Sequence, residues 1–172
     1  MKLAIEQCPT TPGQDVHGET LGFLIADAAR LLRTAFERRI AQAGLGLTAG
    51  EARALIHIAQ VDGSRQLDIA LRMGVEPMTL CAYLDRLQAL GLIERQQCSV
   101  DRRAKRINLT ETSDQMIGSI RKELNVILTQ ATEGLSEENN QILREALAVF
   151  NANLQAATPS AMMIQTASDE SR

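Results

Sequence analysis

The sequence crowds four cations into the six residues Asp101-Arg102-Arg103-Ala104-Lys105-Arg106. Guanidinium and ammonium groups at that density attract phosphate, and the neighbouring pattern says how they are presented. Leu92-Ile93-Glu94-Arg95 and Arg106-Ile107-Asn108-Leu109 read as two strands, with Ile107 and Leu109 alternating inward. Cys98 to Lys105 is too polar to bury, so the pattern predicts a hairpin with a basic tip. Upstream, Ser64 reads as the cap of a short helix with Leu67, Ala70 and Leu71 on one face. Gly74 stops that helix, and Pro77 opens the next at a position where its missing N–H costs nothing. Along this second helix Leu80, Tyr83, Leu84 and Leu87 share one side; Met78, Ala82 and Asp85 lie opposite, with Thr79, Cys81 and Arg86 on the flanks. A helix-turn-helix lays its second helix in the DNA major groove, and a basic hairpin beside it reaches phosphates or the adjacent minor groove. The plainer alternative is a three-helix subdomain with a solvated hairpin.

The net charge of −3 argues against nucleic acid only until its distribution is read. Residues 1–62 carry −1, residues 63–106 carry +3 and residues 107–172 carry −5. Phosphate attraction acts over about 10 Å, so the local patch outweighs the total. Other chemistry is thin. No Gly-rich phosphate loop, metal-ligand cluster or paired catalytic carboxylates appear, and Cys8, Cys81, Cys98, His17 and His57 show no recognisable spacing. The expectation is no catalytic residue, no metal and no enzyme. The cysteines read as free thiols. Cys81 and Cys98 are the two whose oxidation would disturb the DNA-facing surface, which keeps a redox-responsive regulator open as an alternative. A helical adaptor that binds protein through the Met78/Ala82 stripe is another.

The elements that position these residues are helical. Hydrophobic content is 45% with only 2% aromatic residues, so Leu, Ile and Ala carry the core. No apolar run is long enough to span a bilayer, and the N-terminus lacks the regions of a secretory signal; a cytoplasmic protein without a membrane partner is expected. Residues 1–17 read as an irregular arm and 18–47 as a dimerisation helix striped with Leu21, Leu24, Ile25, Ala28, Leu32, Ala35 and Phe36. Residues 48–109 form the helix-turn-helix and hairpin unit, entered through a capping box of Thr48 and Glu51. His57 in that entry helix reads as a hydrogen-bonded core residue. Residues 110–157 hold two further dimerisation helices, capped by Thr110 and Ser136, and 158–172 read as a disordered tail. The first helix and the last two carry more apolar surface than one small core can cover, so a two-fold homodimer is expected.

The stretch from about Leu21 to about Leu154 resembles the MarR (multiple-antibiotic-resistance regulator) family. The resemblance is carried by Glu76-Pro77-Met78-Thr79-Leu80, Leu84-Asp85-Arg86-Leu87, Leu90-Gly91-Leu92-Ile93-Glu94-Arg95 and, above all, the basic run from Asp101 to Arg106 leading into Leu109-Thr110. It implies a mainly α fold with a small β wing, a winged helix-turn-helix plus long dimerisation helices. It implies a sequence-specific transcription regulator, a ligand-responsive repressor acting as a homodimer on a pseudo-palindromic double-stranded operator. Arg103 would enter the minor groove with Asp101 orienting it, and Arg102, Lys105 and Arg106 would be phosphate contacts or wing supports. Met78, Thr79, Ala82 and Arg86 are the recognition-helix candidates. No cofactor is expected; a small phenolic or amphipathic effector is, and Phe36, His57 and Ile58 are the candidates to line its pocket. The family's hydroperoxide-sensing branch carries a reactive Cys at the start of the first helix, where this chain has Leu21-Gly22-Phe23, so that mechanism is not carried over.

Many family members have a basic residue where this chain has Ala82. A bidentate Arg–guanine contact is worth about 1–3 kcal/mol of discrimination, so base readout here must lean on thymine methyls and on wing insertion into a narrow minor groove. Ala82→Arg is therefore expected to change the preferred DNA sequence in a binding selection. An unchanged preference would show that the position does not face bases.

Overall fold

The computed structural model describes residues 16–97 and 105–157, with side chains from Thr20 onward. The expected arm lies outside the described residues except for Val16 and His17, which already belong to the first helix, and the expected tail from Thr158 on lies outside them too. Among the described residues six helices and three short strands follow in the order α1 Val16–Ala43, α2 Ala49–Gln60, β1 Ser64–Arg65, α3 Gln66–Met73, α4 Pro77–Ala89, β2 Ile93–Gln97, β3 Lys105–Leu109, α5 Ser113–Ala131 and α6 Glu137–Ala157. Among the described residues no helix is long and apolar enough to cross a membrane.

The chain divides between Ile127 and Leu128 into two compact units. The first has one apolar core. Phe36 and Ile40 of α1, Ala52, Leu55 and Ile58 of α2, and Ile69, Ala70 and Met73 of α3 enter it. Leu80, Leu84 and Leu87 of α4 join them, with Ile93, Ile107 and, from α5, Ile117, Ile120 and Ile127. Packing therefore does not stop at Leu109; α5 helps build the core beneath the wing. Arg39 of α1 adds an ion pair to Glu123 of α5. In the second unit α6 starts where Ser136 Oγ accepts the Asn139 amide at 3.2 Å, as the expected cap requires. None of its residues is buried, and Ile142, Leu143, Leu147 and Val149 stand exposed along it.

Several local expectations hold. Thr48 and Glu51 form the reciprocal capping box at the start of α2, and Gly74 takes the left-handed conformation at φ 62° where α3 ends. Three are corrected. Ser64 is not a helix cap: it pairs with Ile107, making a third strand in a sheet ordered β1-β3-β2, and α3 starts from Arg65 without a side-chain cap. The buried face of α3 is Ile69, Ala70 and Met73, while Leu67 and Leu71 stand in solvent. Thr110 does not cap α5; its hydroxyl donates to the Gly91 carbonyl at 2.6 Å, tying the wing's exit to the end of α4.

Gly50 of α2 lies against the ring end of Tyr83 on α4. A Cβ placed there would stand 2.5 Å from Tyr83 Cζ and 2.6 Å from its Oη, closer than non-bonded atoms sit. Gly50→Ala gains up to about 1 kcal/mol of helix propensity but forces overpacking that costs about 1–3 kcal/mol. Urea unfolding should find it destabilising in the natural background and neutral or stabilising beside Tyr83→Ala, a reversal that only the steric contact produces.

Candidate functional site

The face of α4 turned to solvent follows from the face turned in. Leu80, Leu84 and Leu87 are completely buried and Tyr83 is half-buried, so the helix cannot roll. Met78 (81% accessible), Thr79, Ala82, Asp85 and Arg86 are left exposed together on one side. Cys81 sits half-buried at the edge of this face, a free thiol whose sulfur accepts from the Gln66 amide at 2.7 Å. A feature the sequence reading missed locks the helix to the wing. Arg95 of β2 bonds Asp85 Oδ1 at 2.6 Å through Nη1 and the Cys81 carbonyl at 3.4 Å through Nη2. Asp85 looked like part of the free face. It is the exposed end of a clamp whose arginine is largely covered.

The strands that carry the basic tip are tied at their base. Arg106 Nη1 donates to the Gly63 carbonyl at 2.8 Å, and Asp62 Oδ1 accepts the Leu109 amide at 2.8 Å. Arg106 thus braces β3 against the turn at Gly63, and it is exposed. Lys105, beside it, is exposed. Cys98, Asp101, Arg102 and Arg103 lie outside the described residues.

On the far side of α2 lies a cavity of about 310 Å³, a size that suits a small organic molecule. It is lined by Ala29, Leu32, Arg33 and Phe36 of α1, Arg53, Ile56 and His57 of α2, and Leu124 of α5. Phe36 and His57 are brought together as expected. Ile58 is not part of the wall: it is completely buried in the core, and Ile56 takes its place. The reason is helical. Arg53, Ile56 and His57 are spaced i, i+3, i+4 and share a face, whereas Ile58 falls on the stripe of Leu55. That spacing was in the sequence and could have picked out Arg53.

His57 is not the hydrogen-bonded core histidine expected of it. Its Nδ1 is buried with no hydrogen-bond partner among the described residues. Burial lowers its pKa below the ordinary value, and the charges of Arg53 and Arg72 lower it further. The imidazole is thus held toward its neutral form, able to donate or accept at the cavity wall.

These elements define a winged helix-turn-helix protein with a cavity behind its DNA-reading unit. A model of the MarR family matches residues 45–104. The transcriptional regulator PA3341 is 31% identical, over 79% of this chain and 98% of that one, with a TM-score of 0.66. A MarR transcriptional regulator from Methanosarcina mazei Go1 is 18% identical over 81% of this chain and 92% of that one, with a TM-score of 0.70. CouR from Rhodococcus jostii RHA1, solved bound to p-coumaroyl-CoA, is 21% identical over 74% and 88%, with a TM-score of 0.61. The chain belongs to the MarR family and is a DNA-binding transcriptional regulator.

The lowered His57 pKa has a consequence for stability. Below about pH 6.5 the unfolded chain takes up this proton before the folded one does. Stability contributed by neutral His57 is complete above that pH and is lost as pH falls toward the folded value. Thermal unfolding at a series of pH values should show the natural chain losing ground to His57→Gln between pH 7 and 5. A natural chain that gains ground instead would mean that the folded state prefers the imidazolium.

Proposed function

We propose that the chain acts as a homodimer on a pseudo-palindromic operator and represses transcription until a small ligand releases it. The observation that carries the reading is the exposed face of α4, with Met78, Thr79, Ala82 and Arg86 free of the core beside a basic hairpin. Thr79 hydrogen-bonds a base or a phosphate, and Arg86 holds the backbone. Arg103 enters the minor groove, oriented by Asp101, while Arg102 and Lys105 meet phosphates. The dimer reading is supported by exposed apolar side chains on two helices, Leu21, Phe23 and Leu24 on α1 and Ile142, Leu143, Leu147, Val149 and Leu154 on α6. Pairing these helices with their copies would set two recognition helices about 34 Å apart, one turn of DNA.

The cavity suits a ligand with an apolar body and one polar end, and the p-coumaroyl-CoA bound by CouR supports effector binding in this fold. A ligand of this kind acts by binding better to the form whose half-site spacing does not fit DNA. The reading gives the protein a cytoplasmic place and no catalytic part.

The test is a random duplex library incubated with the purified chain, followed by sequencing of what is retained. A pseudo-palindrome should emerge. Affinity for it should fall by about 10³- to 10⁵-fold between 50 and 200 mM salt if some 6–10 phosphates are contacted. Arg103→Ala should weaken binding by about tenfold or more. Retention of no DNA at low salt, with protein partners captured instead, would sink the reading in favour of an adaptor.

A further inference from the structure

Arg53 belongs to two sites at once. It lines the cavity with Arg33, Phe36 and His57. Its Nη2 also donates to the Met73 carbonyl at 3.2 Å. Met73 is the last residue of α3, just before the Gly74-Val75-Glu76 turn that leads into Pro77 of α4. The last carbonyls of a helix have no partner inside it. Those of Leu71 and Ala70 are met by the Gly74 and Val75 amides. The Met73 carbonyl is met from α2, by Arg53. One side chain therefore joins the cavity wall to the turn that aims the recognition helix.

The hold is of a kind that a ligand can break. A guanidinium bonds a carboxylate more strongly than a neutral carbonyl, and it does so with two parallel N–H groups. The cavity wall is otherwise apolar, apart from Arg33 and His57, so a carboxylate inside it meets little competition from other dipoles. We propose that Arg53 is the relay between effector and operator: a ligand with an aromatic or aliphatic body and a carboxylate draws the guanidinium off the Met73 carbonyl and loosens the turn into α4. This rests on the cavity being the effector site. It assigns the ligand's charge and the residue through which its arrival is felt. The recognition helix then loses its fixed aim even where the half-site spacing is unchanged.

Hydrogen exchange on the full-length protein tests this with two probes of one shape, 2-naphthoate and 2-naphthylmethanol. The carboxylate should slow exchange in the cavity helices around Phe36 and His57 and speed it at the hydrogen-bonded Gly74 and Val75 amides by about tenfold, the scale of one charge-assisted hydrogen bond. The alcohol should protect the cavity without quickening the turn. Arg53→Gln should exchange fast at the turn without ligand and show no further response. Arg33→Gln, which removes the other guanidinium of the wall, should need more 2-naphthoate but reach the same quickening at saturation. Arg53→Lys, which keeps the charge but loses the planar fork, should fall between if the Gln variant folds poorly. Cavity protection by the carboxylate with unchanged turn rates overturns the relay and leaves the effector site standing. Equal quickening by the alcohol overturns it too. Failure of either probe to protect the cavity overturns both the relay and the effector reading.

Discussion

The structure depends on the burial of three leucines. Leu80, Leu84 and Leu87 recur at i, i+4 and i+7 on α4, and none has any surface left in solvent. Burying a leucine side chain is worth about 1.5–3 kcal/mol relative to leaving it exposed, so rolling α4 by even one position would forfeit several kilocalories. That single constraint decides which residues of α4 are left in solvent. Met78, Thr79, Ala82 and Arg86 are outside because the leucines are inside. The polar ties then refine an orientation that apolar packing has already chosen. Arg95 reaches from β2 to Asp85 and to the Cys81 carbonyl. Asp85 is 67% exposed, so the pair is screened by water and acts as a guide to register more than as a source of stability.

Where one physical signal dominates, the sequence was enough. The α4 stripe has a single strong periodicity, Thr48 and Glu51 have the spacing of a reciprocal cap, and Gly74 and Pro77 punctuate a short turn. Where two signals compete, tertiary contacts chose. The eight residues of α3 offer two apolar faces, Leu67 with Leu71 and Ile69 with Met73. Pairing of Ser64 with Ile107 delivers the chain into α3 with the second face inward. A strand of two residues has no periodicity to read, so neither β1 nor its effect on α3 was visible beforehand. Thr110 shows the same limit. Its hydroxyl has the right chemistry for a cap and a better-placed acceptor in the Gly91 carbonyl. The Arg95 clamp was hidden because ion pairing between a helix and a strand leaves no spacing rule in the chain.

Exposure of apolar surface sorts the remaining helices. In α1 the C-terminal half supplies Phe36 and Ile40 to the core, while Leu21, Phe23 and Leu24 in the N-terminal half are more than half accessible. Isolated exposed leucines are ordinary, but a helix such as α6 with no buried residue at all is a large unburied apolar face. Most of a helix's stability in a protein comes from packing an apolar face rather than from propensity, and α6 buries none of its 21 residues. This is the physical weight behind the dimer reading, independent of any resemblance.

Helix α2 is the element through which the two halves of the proposed function must communicate. Ala52, Leu55 and Ile58 on one side are completely buried in the core shared with α3 and α4. Arg53, Ile56 and His57 on the other side form the cavity wall. A close-packed core transmits displacement because it has no slack to absorb it. Gly50, at the start of the same helix, stands against the Tyr83 ring, which an added methyl would have to push aside. A ligand that shifts α2 therefore shifts α4, and one that acts on DNA binding must bind the two positions of α2 with different affinity. In the proposed function, sensing and reading are thus joined by twelve residues of helix with a different chemistry on each side.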